Sequence, residues 1–221
     1  MTDPDLRATD PRPRIGLPVG VGIGASAGGP RALLTLLADF TLPPSAFAFL
    51  VQHIHPKFIR ILNRRLSEAA SIQVVEASDG QTVHPGRLYL APAGRHLVVE
   101  RVWPASFGTR LTDEPPRNGV RPSVDALFIS LAAIFGARAI GVVLTGMGRD
   151  GVEGARAIKA HGGTVLAEAE TTCVVYGMPR ALAEAGLADR LVPIGEMAAA
   201  IREATRLAAE SRPPTVSQSQ G

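Results

Sequence analysis

Two hydrophobic rhythms alternate along this chain. Residues 19–24 form a short apolar run that feeds directly into Ala25-Ser26-Ala27-Gly28-Gly29, the pattern of a strand ending in a glycine-rich turn. Pro30 suits the first turn of a helix, and Leu33, Leu34, Leu36 and Leu37 follow at helical spacing. Residues 46–51 are apolar without a break, as expected of a parallel strand covered on both faces. That run ends at Gln52-His53, and Pro56 opens a basic helix through about residue 70.

The middle of the chain changes character. Asp79-Gly80 and Pro85-Gly86 are turn signals. Residues 87–90 and 96–101 alternate apolar and polar positions around Ala93-Gly94, which predicts a β-hairpin inserted between α/β units. Pro104, Pro115, Pro116 and Pro122 mark residues 103–121 as a long loop near the site. The first rhythm then returns. A helix is predicted over 124–135, capped by Ser123 with Asp125 in its first turn, then a strand over 139–144. The turn Thr145-Gly146-Met147-Gly148-Arg149-Asp150-Gly151 leads into a helix ending near His161. A strand over 165–167 and helices over 179–185 and 196–209 complete the order. Strand, glycine turn and helix in repetition predict an α/β fold with a doubly wound, mostly parallel sheet. The folded domain is drawn at 19–206, with disordered tails at 1–18 and 207–221.

In such a sheet, ligands bind beyond the carboxyl ends of the strands. Three predicted strand ends carry Ser26, His53 and Asp150, the types of a nucleophile, a general base and an orienting carboxylate. The turns at 25–28 and 146–148 can expose backbone N–H groups to a developing oxyanion, because glycine accepts the dihedrals required. Each residue also has a plain structural reading. Ser26 can cap the helix starting near Gly29, His53 can be a satisfied histidine at a sheet edge, and Asp150 can cap the helix through His161. Gly22-Ile23-Gly24-Ala25-Ser26-Ala27 also fits a dinucleotide-binding pattern, although Gln52-His53 stands where that pattern expects an acid. His53 and His55 alternate, so only one of them can face the crevice. The G-x-S-x-G nucleophile elbow is absent.

The bulk chemistry narrows the classes. A net charge of +3 without a focused basic patch gives no case for nucleic acid. No stretch of about twenty apolar residues argues for membrane insertion, and the first residues lack the apolar core of a signal peptide. The single cysteine, Cys173, cannot form an internal disulfide and reads as a structural thiol in a reducing, cytoplasmic compartment. His55, His84, His96 and His161 are scattered without metal-ligand spacing, so no metal or cofactor is expected. The basic helix with Lys57, Arg60, Arg64 and Arg65 is either a solvated face or a docking surface for acidic partners.

Taken in order, the blocks Gly22-Ile23-Gly24-Ala25-Ser26-Ala27-Gly28-Gly29-Pro30, Val51-Gln52-His53 and Leu144-Thr145-Gly146-Met147-Gly148-Arg149-Asp150-Gly151 resemble the CheB-type protein-glutamate methylesterase catalytic domain. Pro122-Ser123-Val124-Asp125 and Val175-Tyr176-Gly177-Met178-Pro179-Arg180 extend the resemblance, which spans about 19–195. It implies a Rossmann-like fold and a serine hydrolase with the triad Ser26, His53 and Asp150. It also implies Ala27 and Met147 as backbone oxyanion donors and methylated chemoreceptor cytoplasmic helices as substrate. Glutamine deamidation and a separate regulatory protein are further expectations. In this family threonine is common where Ala27 stands and proline where His55 stands, and the best-known members carry an N-terminal receiver domain that is not expected here. The alternatives are an esterase for another protein or a small ester, an inactive receptor-binding module, and a nucleotide-binding Rossmann-like domain.

Overall fold

The computed structural model describes residues 17–103 and 106–210. Ten strands and six helices follow one another in chain order. They are β1 (Val19–Ala25), α1 (Gly29–Ala38), β2 (Ala46–Gln52), α2 (Ile59–Ala69), β3 (Gln73–Glu76), β4 (Gln81–Thr82), β5 (Arg87–Leu90), β6 (His96–Trp103) and β7 (Ser106–Thr112). Then come α3 (Val124–Phe135), β8 (Ala139–Val143), α4 (Val152–Ala160), β9 (Thr164–Glu168), α5 (Met178–Glu184), β10 (Arg190–Val192) and α6 (Ile194–Glu210). Seven strands form one sheet in the order β10-β9-β8-β1-β2-β5-β3. Every pairing in it is parallel. The doubly wound α/β fold expected from the strand–turn–helix rhythm is the fold observed.

The core has two layers, one on each face of this sheet. On one face Leu33, Leu36 and Leu37 of α1, Leu62 and Leu66 of α2, and Met197 and Ile201 of α6 pack on Val19, Val21 and Ile23. On the other, Phe128, Leu131 and Phe135 of α3 and Ile158 of α4 pack with Phe49, Val51 and Val143. Each such buried side chain stabilises the fold by roughly 1.5–3 kcal/mol. The glycines of β1 explain how close α3 comes. A Cβ on Gly20 would lie 2.3 Å from Phe135, on Gly22 2.6 Å from Leu131, and on Gly24 2.5 Å from Val124. Gly22 and Gly24, the glycines of the apparent dinucleotide pattern, therefore serve helix packing. With no side chain between them, α3 lies flat on β1 and its N-terminus reaches the carboxyl edge of the sheet.

The inserted hairpin differs from the expected one. Residues 87–90 do not turn back on 96–101. β5 runs parallel between β2 and β3, with Leu88, Tyr89 and Leu90 all fully buried, so its apparent alternation belongs to a strand covered on both faces. β6 instead pairs antiparallel with β7, inside the segment expected to be loop, and β4 completes a separate three-stranded sheet. Phe107, Thr109 and Leu111 alternate inward along β7 and are buried. The prolines that suggested a loop lie on either side of these seven residues. β3 and β10, short and partly exposed, were not anticipated from the pattern. At the C-terminus α6 runs to Glu210 with Ala208 buried, so the helix passes the domain limit of 206, and 207–210 are helix rather than tail. The rest of both expected tails, save Leu17 and Pro18, lies outside the described residues.

Candidate active site

β1 lies between β2 and β8, so the segments that leave these strands emerge side by side. The His53 N–H donates to Ala25 O at 3.0 Å, and the Ser26 N–H donates to Thr145 O at 3.0 Å. These two bonds stitch the three chain ends into one edge. Gln52 braces them from below. Its side chain is buried, and Nε2 donates to Ser26 O at 2.8 Å and to His53 O at 2.9 Å. A Cβ on Gly29 would lie 2.0 Å from Gln52 Oε1, so only glycine leaves room for this brace. The position where a dinucleotide fold would hold an acid is thus filled by an amide that fixes the neighbouring backbone.

Asp150 sits at the opposite side of this edge. Its carboxylate accepts from His53 Nε2 (2.8 Å), Val124 N (2.7 Å), Ser123 Oγ (2.7 Å), Asp125 N (3.2 Å) and Asn118 Nδ2 (3.3 Å). Two of these donors are backbone groups of the first turn of α3, whose free N–H groups and dipole favour an anion. The plain structural reading of Asp150, a cap for α4, is not what the chain adopts. Gly151 is the α4 N-cap, and the carboxylate of Asp125, from α3, accepts from Gly151 N at 2.9 Å and Gly154 N at 2.7 Å. Each helix is capped by an acid from beside the other. Burial pushes the Asp150 carboxyl upward, but the bonds from His53, Ser123 and Val124 and the charge of His53 outweigh it and hold the group down at about 2. Asp125 goes the other way: burial raises it, and the nearby Asp150 charge adds to the rise.

With Asp150 ionised, His53 Nε2 carries the proton of their shared bond. In the neutral imidazole Nδ1 then keeps its lone pair free to accept. The imidazole is 11% exposed, enough to be reached from outside. Ser26 stands at the adjacent strand end, half-buried. Among the described residues its hydroxyl has no hydrogen-bond partner, so it is not joined to His53, and the N-cap of α1 is Gly28 without a side-chain bond. The Ala27 and Met147 N–H groups likewise donate to no acceptor among the described residues. The Gly146 turn is pressed against the serine: a Cβ there would lie 2.7 Å from the Ser26 Cβ. His55 points away, its Nδ1 accepting from Lys57 N at 3.3 Å, and stands exposed.

The edge opens on two recesses. One of about 230 Å³ is lined by His53, Ile54, Gly119, Val120, Arg121 and Pro122. Another of about 400 Å³ lies towards β9, beside Thr145, Glu168, Cys173 and Val174. Burial, reinforced by Glu168 and Glu170, pushes the Cys173 thiol up to about 12, so it stays protonated and is no nucleophile at neutral pH. Glu168 is fully buried and fixes the glycine turn, accepting from Thr145 N at 2.8 Å and Thr172 Oγ1 at 3.0 Å. Gln52, Asn118, Glu168 and the second role of Ser123 were not found from sequence, because each acts on groups remote along the chain. No described helix is long and apolar enough to cross a membrane.

The sequence matches the family described as CheB methylesterase over residues 21–201. The chain belongs to that family. A protein-glutamate methylesterase/protein-glutamine glutaminase of Clostridium acetobutylicum is 45% identical over 178 residues, 80% of this chain and 50% of that protein. The protein-glutamate methylesterase/protein-glutamine glutaminase 5 of Myxococcus xanthus is 47% identical over 186 residues, 84% of this chain and 53% of that protein. The chain thus spans about half the length of the curated relatives it matches. The crystal structure of the Thermotoga maritima CheB methylesterase catalytic domain aligns with a TM-score of 0.81 and 38% identity, covering 84% of this chain and 98% of that one. The likeness to this CheB domain therefore extends over nearly its whole length.

Proposed function

We propose that this chain is a cytoplasmic serine hydrolase that cleaves γ-methyl esters of protein glutamates and side-chain amides of protein glutamines. The activity is the one named for the relatives of Clostridium and Myxococcus. The proposed substrates are methylated cytoplasmic helices of chemoreceptors. The observation that carries the reading is the 2.8 Å bond between His53 Nε2 and a buried Asp150, at the strand ends beside Ser26.

A serine hydroxyl is a weak nucleophile at neutral pH and needs a base as it attacks. In the proposed reaction His53 Nδ1 takes the Ser26 proton as Oγ attacks the γ-carbonyl, after the serine rotamer and substrate close the gap. Such bonds commonly tighten only when substrate binds. Asp150 fixes the imidazole tautomer and stabilises the imidazolium. The N–H groups of Ala27 and Met147, which have no other acceptor among the described residues, hold the oxyanion. His53 returns the proton to the departing methoxide or amide, giving methanol or ammonia. Water then attacks the acyl-serine by the same proton route and frees the glutamate.

The test is methanol release from a methyl-esterified receptor fragment. Ser26→Ala is expected to release none above the uncatalysed rate while unfolding at the wild-type temperature. A variant that turns over at near-wild-type rate would exclude Ser26 as the nucleophile.

A further inference from the structure

We propose that Asn118 is a positioning residue of this reaction: its side-chain amide, clamped between Asp125 and Asp150, keeps this buried pair doubly ionised and Asp150 aimed at His53. The proposal rests on the triad reading above.

The crossed caps create the problem that Asn118 solves. Asp125 and Asp150 are each only 2% exposed, and each is drawn to the other's helix start by backbone N–H groups. Two buried anions are thereby brought together, and like charges at close range favour uptake of a shared proton. Such a proton would sit between the carboxylates and remove negative charge where the His53 imidazolium must form. Asn118 Nδ2 donates to Asp125 Oδ2 at 2.7 Å and to Asp150 Oδ1 at 3.3 Å. One neutral amide nitrogen has two hydrogens, one for each acid, and gives neither away.

The surroundings leave this task to Asn118. Asp150 faces His53 from the loop after β2, Asp125 from α3, and the donors of Ser123 and Val124. Asp125 faces Asp150, Asn118 and the N–H groups of Gly151 and Gly154. His96 from β6 stands one bond further back, accepting from Ser123 N through Nδ1 while Nε2 meets Pro115 O. Arg121, beside Asn118, is turned to the carbonyls of Asp113 and Glu114. Asn118 is thus the side chain that donates to both acids.

The backbone has its own reason for asparagine here. Arg117 and Val120 exchange backbone hydrogen bonds around Asn118 (φ 50°) and Gly119 (φ 77°), a tight turn with two left-handed residues in which Asn-Gly is favoured. That preference accounts for the residue type. It does not account for an amide directed at two carboxylates.

The turn role and the positioning role are separable. Asn118→Gly keeps a left-handed residue and deletes the amide, whereas Asn118→Asp keeps shape and turn preference but adds a third anion. The carboxyl ¹³C shifts of Asp125 and Asp150 are followed against pH in the whole chain, with kcat and KM measured on a peptide bearing glutamate γ-methyl ester. For Asn118→Gly the pair is expected to take up its first proton at least about one pH unit above wild type. Turnover should fall about tenfold across that step with KM little changed. Asn118→Asp should shift further and lose about a hundredfold. Carboxyl titrations and kcat profiles of Asn118→Gly that superimpose on wild type would overturn the proposal and leave Asn118 a turn residue. Failure of the triad reading shows separately, as equal methanol release by wild type and Ser26→Ala.

Discussion

Asp150 accepts five hydrogen bonds between 2.7 and 3.3 Å, whereas the Ser26 hydroxyl and the Ala27 and Met147 N–H groups engage no partner among the described residues. These are two halves of one strand-end edge, and His53 is bonded to the acid half. The acid half is filled and closed by side chains from four separate segments: the loop at Asn118, the start of α3, the turn after β8 and the end of β2. The serine half is backbone turns with free donors. A buried charge is stable only with its donors in place, so that half must be complete before substrate arrives. Free hydroxyl and N–H groups beside solvent carry little cost, and in the proposed reaction they meet the substrate carbonyl.

The contrast can be broken from the acid side first. Asp150→Asn keeps the volume but removes the charge and the fixed tautomer. Its kcat on a methyl-esterified substrate is expected to fall by about 10⁴, with His53 still in place. A second break attacks the support rather than the charge. Gly24→Ala would place a methyl 2.5 Å from Val124 and push the α3 N-terminus from the sheet edge. Chemical denaturation should show a loss of about 1–3 kcal/mol, accompanied by lower kcat because Ser123 and Val124 carry Asp150 with them. The smallest effect is expected on the serine side. Met147 is 73% exposed and the proposed donor is its backbone N–H, so Met147→Ala should leave kcat within about twofold of wild type. A large loss there would mean that the serine half, too, works through its side chains.

The same division marks what could be read from sequence. The β1 and β2 runs, the leucines of α1 and the Ser123 cap of α3 follow local rules of spacing and propensity, and the structure contains them. Ser26, His53 and Asp150 stood out because reactive side chains followed predicted strand ends. The crossed caps, the Gln52 bond to Ser26 and the Asn118 clamp join groups 7 to 32 residues apart, through side chains that no periodicity marks. The glycines of β1 were visible, but their reason was not: the close approach of α3 depends on a helix that begins a hundred residues later. The β6–β7 hairpin was hidden by prolines outside β7, which drew attention from the inward alternation of Phe107, Thr109 and Leu111.

The most direct measurement on the serine half is covalent labelling by a fluorophosphonate, which reacts with a hydroxyl only when a base activates it. Peptide mapping of the labelled wild-type chain should find the phosphonyl group on Ser26, with His53→Ala unlabelled under the same conditions. A wild-type chain that takes up no label, or carries it on another residue, would contradict a serine activated by the His53–Asp150 pair.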